Sequence, residues 1–203
     1  MKTSFFHDLT KFINLKLNRD ALIEPTYIVS VAAKHELELK IATLDEIKQR
    51  ICILKNKCNL TNIDLGETAA ISREIIRRTL EIRIFDTQIL SATLLYRGTF
   101  VEMATGEGKT IVAIIAAFFN WVSNRKTHIA TTNSYLAERD YLQATKFFSY
   151  IEVNISLITS SMPKRVRKYA YNADVVYATF LWKPIKPILN KKLRILPNLA
   201  LTK

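Results

Sequence analysis

Residues 105–110, which read Thr-Gly-Glu-Gly-Lys-Thr, combine the residue types needed to hold a nucleotide. Two of the four glycines of the chain, Gly106 and Gly108, lie here, and glycine lets backbone N–H groups turn towards an anion. The ammonium group of Lys109 would reach the β- and γ-phosphates, and the hydroxyl of Thr110 would ligate Mg²⁺. The hexamer therefore predicts a phosphate-binding loop with a magnesium ligand.

Two apolar segments flank the hexamer and would position it. The segment 99–103 predicts a β-strand, and the run from Ile111 to Phe119 predicts a helix over 109–123. A strand, a glycine loop and a helix in this order are the context in which such a loop binds phosphate, because the helix N-terminus adds partial positive charge. The position of the usual first glycine holds Met103, so only the G-x-G-K-T part of the pattern is present.

Strands and helices alternate beyond the loop. Further strands are predicted at 128–131, 153–159 and 174–178, and further helices at 134–150 and 162–172. This alternation predicts an α/β fold with a parallel sheet and crossover connections. The loop would lie at the carboxyl end of its strand, where such folds bind ligands.

Helices dominate the chain before the loop. Thr43 and Glu46 form a predicted capping box, and helices follow at about 65–83 and 86–96. An amphipathic helix at 5–17 would dock on its own domain or on a bilayer or partner. We predict a helical segment at 1–83, a partial nucleotide-binding domain at 84–179, and a divergent basic tail without regular structure at 180–203.

Composition narrows the classes of function. No apolar run approaches the ~20 residues of a membrane span, and the first residues do not resemble a signal peptide. Cys52 and Cys58 predict free thiols, and the isolated histidines predict no zinc site. From residue 160 onward, ten basic residues face the single acid Asp174, which predicts an anionic partner or a solvated tail. No stacked-aromatic module accompanies them, so no nucleic acid is expected.

Four segments together carry a family resemblance: 84–88, which contains Phe-Asp-Thr-Gln, then 101–110, then 130–140, which contains Asn-Ser-Tyr-Leu-Ala-Glu-Arg-Asp, and 170–179. Gln88 precedes Lys109 by 21 residues. In wording, order and spacing, these segments resemble the SecA preprotein translocase ATPases over about residues 40–179. The resemblance implies a P-loop NTPase sheet of the RecA-like, DEAD-like motor type.

The resemblance also implies a function, in which ATP with Mg²⁺ drives unfolded preproteins through the Sec translocon channel. Gln88 would contact adenine, residues Thr105, Gly106, Glu107, Gly108, Lys109 and Thr110 would hold the phosphates, and Thr110 would also ligate Mg²⁺. Arg139 would belong to the segment that couples nucleotide to the preprotein-binding parts. The expected location is peripheral, at the cytoplasmic face of an inner membrane or, for an organelle-encoded chain, at the stroma or thylakoid membrane of a plastid. An anionic membrane surface is a further partner.

Several departures limit the expected activity. Ser134 stands where the family usually has Asp, Ala178 stands where it usually has Gly, and the resemblance ends after Thr179. No strand ends in the acids that hydrolysis needs, because Asp174 begins its strand, and the second motor domain is absent. We therefore expect an N-terminal fragment that binds nucleotide without efficient hydrolysis, and we assign no catalytic residue. The alternatives are a fragment of a superfamily 2 helicase and a non-catalytic module that docks on a membrane or translocon.

Overall fold

The computed structural model describes residues 23–159, residues 161–179 and the backbone of residues 193–196. The helix predicted at 5–17 lies outside these residues. The helices are α1 (Ile23–Ile41), α2 (Leu44–Lys55), α3 (Asn62–Leu80), α4 (Asp86–Tyr96), α5 (Lys109–Val122), α6 (Ser134–Tyr150) and α7 (Lys164–Ala170). The strands are β1 (Lys126–Thr131), β2 (Ile155–Ile158), β3 (Val175–Thr179) and β4 (Leu193–Leu196).

The four strands form one parallel sheet in the order β2-β3-β1-β4. Ile129 of β1 is paired with Tyr177 of β3, and His128 is paired with Ile195 of β4. Helices connect the strands, since α6 lies between β1 and β2, and α7 lies between β2 and β3. The predicted α/β fold with a parallel sheet is confirmed.

Two predictions about strands are wrong. Residues 99–103 form no strand, although Val101 and Met103 are buried as a strand pattern would require. A strand needs a hydrogen-bonding neighbour, and residues 99–103 pair with none of the four strands of the sheet. The tail beyond residue 180 was predicted to be wholly irregular, whereas Leu193–Leu196 forms a strand on β1. Its apolar residues 193, 195 and 196 support a strand between two proline-containing stretches.

Local capping decides where the helices of the front half begin and end. The predicted capping box is present: Thr43 N donates to Glu46 Oε2 (2.6 Å), and Glu46 N donates to Thr43 Oγ1 (3.3 Å). A second box between Thr61 and Asp64 starts α3 three residues before the predicted helix. Helix α3 then ends at Leu80 because Glu81 adopts the left-handed conformation (φ 56°).

A continuous apolar core joins the front helices to the sheet. Helix α5 is its centre, and Phe118 and Phe119 are completely buried within it. Residues from Ile28 of α1 to Tyr177 of β3 contribute to this same core, so packing does not break at residue 83. Between residues 23 and 179, the described helices include none that is long and apolar enough to cross a bilayer.

Candidate nucleotide site

The loop before α5 has the backbone shape of an anion cradle. Gly106 (φ 91°) and Gly108 (φ 80°) both adopt positive φ angles, which side chains disfavour. Gly108 is the N-cap of α5, and it has no side chain with which to satisfy the first N–H groups of the helix. These N–H groups and the helix dipole therefore favour an anion at this end of α5.

A cavity of about 630 Å³ opens in front of this loop. It brings together most of the residues predicted for the site: Gln88, Thr105, Gly106, Gly108, Lys109, Thr110 and Arg139. Glu107 does not line the cavity, and it takes part through its backbone carbonyl, which is bound by Gln88. The sheet contributes Ile129 to the wall, and the linker before α4 contributes Arg83 and Phe85.

Gln88 ties helix α4 to the loop. Its Nε2 donates to the carbonyl oxygen of Glu107 (3.0 Å), and its Oε1 accepts from the backbone N–H of Phe85 (3.1 Å). A Cβ atom at Gly108 would lie 2.2 Å from this Nε2, so any other residue there would displace the Gln88 amide. The amide keeps one N–H and one lone pair for a further partner, because a glutamine offers two of each.

Lys109 supplies the positive charge next to the loop. Its Nζ atom is buried and, in the part of the chain that is described, has no hydrogen-bond partner. A buried ammonium without a partner is costly, whereas the same group beside an anion is stabilised. An unpaired buried cation at the start of α5, next to two glycines with positive φ, matches the chemistry of a phosphate group.

Thr110 contacts an acid that the sequence interpretation gave no role. Its hydroxyl Oγ1 donates to Asp140 Oδ1 (3.1 Å). Asp140 Oδ1 also accepts from Arg139 Nε (3.0 Å) and Nη2 (2.7 Å). Asp140 has a side chain only 13% exposed. The position of Asp140 at the end of the segment 133–140 was visible, but a contact with a residue 30 positions earlier depends on tertiary packing.

The positions that depart from the family pattern are accommodated. Helix α6 begins without an acid at Ser134, and the side chain of Asn133 caps it by accepting from Leu136 N (2.8 Å). Ala178 is paired with Ala130 and Ile158 inside the sheet, where its methyl group packs on a small apolar cluster. Asp174 precedes β3, and so lies at the strand end away from the loop.

A second cavity, of about 570 Å³, lies beside the linker 81–84. Two of the three arginines that line it are paired with acids: Arg73 bonds Glu36 (3.2 Å) and Asp86 (2.6 Å), and Arg77 bonds Glu74 (2.7 Å). The third, Arg83, also lines the loop cavity. Within residues 23–159 and 161–179, no three His, Cys, Asp or Glu side chains cluster as a protein-only metal site. The loop cavity therefore remains the candidate site.

Comparison with known proteins points to a single family. The family model described as the SecA DEAD-like domain matches residues 10–181. The protein translocase subunit SecA of Gracilaria tenuistipitata var. liui is 43% identical over 138 residues, which cover 66% of this chain and 16% of that protein. SecA of Rickettsia massiliae is 39% identical over 142 residues, or 70% of this chain and 15% of the relative.

SecA of Anaplasma phagocytophilum is 44% identical over 110 residues, which cover 54% of this chain and 13% of that protein. The chain thus spans about a sixth of the length of the curated relatives that it matches. The family match covers the front helices, the loop, the cavity and strands β1 to β3. The chain therefore belongs to the SecA DEAD-like domain family, with the P-loop, RecA-like fold of that family.

Proposed function

We propose that this chain is the ATP-binding part of a SecA-type protein translocase. The observation that carries the proposal is the buried Nζ of Lys109, which has no partner among the described residues and stands beside a glycine loop in a large cavity. An anion would stabilise a cation held in this way, and the N-terminus of α5 favours an anion at the same place. The SecA relatives are named as protein translocase subunits, which supports the same assignment.

Each predicted site residue has a role in this proposal. The backbone of residues 105–108 and the Lys109 ammonium hold the phosphates, while the Thr110 hydroxyl is the ligand for Mg²⁺. Gln88 directs its remaining N–H and lone pair to adenine, whose edge offers one acceptor and one donor. Bound Mg²⁺ would neutralise charge on the phosphates. Arg139 would couple the nucleotide to the preprotein-binding parts.

Binding without efficient hydrolysis is the activity that we assign to this chain alone. Of the described residues that line the cavity, only Asp140 is a carboxylic acid, and it is bonded through Oδ1 to Thr110 and to Arg139. Efficient hydrolysis also needs groups that orient the metal and activate the water, and beside Asp140 the described lining offers no second acid for these roles. In our proposal residues 84–179 form the nucleotide-binding part, residues 1–83 its helical front and residues 180–203 a basic tail.

The expected partners are the Sec translocon, an unfolded preprotein and an anionic membrane surface, and the expected location is the cytoplasmic or stromal side of that membrane. Lys164, Arg165 and Lys168 are exposed on α7 and supply positive charge for lipid headgroups. Co-sedimentation with vesicles rich in anionic lipid, lost at high salt, would support the membrane contact. Equal binding to zwitterionic vesicles would contradict it.

The binding proposal is tested by titrating the 203-residue chain with a fluorescent ATP analogue in Mg²⁺ and by following thermal unfolding. Ligand at a hundredfold its Kd adds about 2.7 kcal/mol to the free energy of unfolding. Lys109→Ala should weaken binding at least about tenfold, because it removes a charged hydrogen bond. Lys164→Ala, at an exposed lysine of α7, is the matched control. Absence of stabilisation by Mg-ATP, or unchanged affinity in Lys109→Ala, would contradict the proposal.

A further inference from the structure

Asp140 links helix α6 to the start of helix α5. The hydroxyl of Thr110 donates to Asp140 Oδ1 over 3.1 Å, and both residues line the cavity of the loop. Thr110 is the second residue of α5, so this bond fixes the side chain that follows Lys109. The sequence segment around Asp140 was expected to couple through Arg139, whereas the bond that reaches the loop helix comes from Asp140.

The carboxylate is held firmly in place. Arg139 donates to the same Oδ1 through Nε (3.0 Å) and Nη2 (2.7 Å). The next residue, Tyr141, packs edge-on against Tyr177 of β3, with ring centroids 6.3 Å apart. The pKa of Tyr177 is raised by burial of its hydroxyl and by the negative charge of Asp140, which therefore lies close to this wall of the sheet. The contact between α6 and the sheet thus orients Asp140 towards Thr110.

The geometry of a metal-ligating hydroxyl explains why an acid is useful here. A threonine hydroxyl has one hydrogen and two lone pairs, and it binds a cation through a lone pair. A carboxylate that accepts the hydrogen leaves a lone pair free for the cation, and hydrogen bonds to a charged acceptor are the stronger ones. A cation on the oxygen also makes the O–H a better donor, because bonds in a chain polarise one another.

We propose that Asp140 is a positioning residue for Mg²⁺: it accepts the hydrogen of Thr110, turns the hydroxyl oxygen towards the metal, and so couples Mg-nucleotide to helix α6. This inference rests on the proposed function, since it assigns a further residue to the same site. Asp140 acts through Thr110 and contacts neither nucleotide nor metal in this scheme. Residues that ligate metal are commonly oriented by such neighbours, whose loss weakens metal binding 10–100-fold.

The experiment compares the affinity of the 203-residue chain for ADP in Mg²⁺ with its affinity in EDTA. The gain from Mg²⁺ is the ratio of the affinity for ADP in Mg²⁺ to the affinity in EDTA. We expect this ratio to be about tenfold smaller in Asp140→Ala than in the wild type, while the affinity in EDTA changes little. Thr110→Val should lose the same gain, and the double variant should lose no more than either alone, because both remove one interaction. Glu138→Ala, at an exposed acid of the same helix, is the control and should keep the full gain.

The outcomes separate this inference from the proposed function. No ADP binding by the wild type, or binding that Lys109→Ala leaves intact, contradicts the proposed function. Two outcomes overturn only the role of Asp140, provided that binding depends on Lys109. In the first, Asp140→Ala keeps the full gain from Mg²⁺. In the second, the loss of gain in the double variant equals the product of the losses in the two single variants. Asp140→Asn keeps an oxygen acceptor but no charge, so it replaces the alanine variant if that variant fails to fold, and it should lose part of the gain.

Discussion

Replacing Gly108 by alanine tests the contact between Gln88 and the loop. The alanine Cβ would lie 2.2 Å from Gln88 Nε2, so the flexible glutamine must move away. That movement breaks the bond to the Glu107 carbonyl and removes the bond from Phe85 N to Gln88 Oε1. The positive φ of 80° adds backbone strain to the same variant. Gly108→Ala therefore combines strain with the loss of two hydrogen bonds.

The magnitude follows from a comparison with Gly106. Gly106 also has a positive φ (91°), but a Cβ there meets no atom within 4 Å. We expect Gly106→Ala to reduce the free energy of unfolding by about 1–2 kcal/mol, from strain alone. Gly108→Ala should cost about 2–5 kcal/mol, because each of the two lost hydrogen bonds adds about 0.5–1.5 kcal/mol to the same strain. The difference between the two variants isolates the contact with Gln88.

Urea unfolding of the 203-residue chain, followed by circular dichroism, measures these costs. Repeating both substitutions with Gln88→Ala provides the internal control, since that background already lacks the two bonds of Gln88. There the cost of Gly108→Ala should fall to that of Gly106→Ala. The reasoning is refuted if the two glycine variants cost the same in the wild-type chain, or if their difference persists without Gln88.

Two further predictions concern pH and a helix terminus. Burial, with a smaller effect of Lys126, lowers the pKa of His128 to about 4, so the unfolded state binds a proton near pH 6.5 and the folded state does not. The contribution of His128 to the free energy of unfolding should therefore fall by about 2.5 kcal/mol between pH 6.5 and 4. If His128→Gln keeps the same dependence of stability on pH between 6.5 and 5, this prediction is contradicted. Ser134→Asp should stabilise α6 by about 0.5 kcal/mol at low salt in urea unfolding, and a loss of stability would contradict it.

Elements whose signals lie within a few residues were predictable from the sequence. The box at Thr43 and Glu46 was recognised because both partners of each bond lie three residues apart, and the prediction is confirmed. Helices α4 and α6 have the predicted bounds, Asp86–Tyr96 and Ser134–Tyr150. The parallel sheet followed from the alternation of strands and helices, which is a property of the chain order.

Features that depend on distant partners were missed or predicted incorrectly. Residues 99–103 have a strand pattern, yet a strand exists only where a neighbour pairs with it, and these residues pair with no strand of the sheet. The strand Leu193–Leu196 was hidden by prolines on both sides and is stabilised by pairing with residues about 67 positions earlier. Asp140 escaped notice for the same reason, because nothing local indicates that its carboxylate meets Thr110.

The strand order has a consequence for association. Among the described residues, β2 and β4 are the outer strands of the sheet, and each leaves one row of backbone N–H and C=O groups without a neighbouring strand. Strand β4 carries Arg194 in its apolar run, and a charge of this kind discourages pairing with another chain. Strand β2 reads Ile-Ser-Leu-Ile and carries no charge. The β2 edge is therefore where this sheet most readily accepts an additional strand, including one from a second copy of the chain.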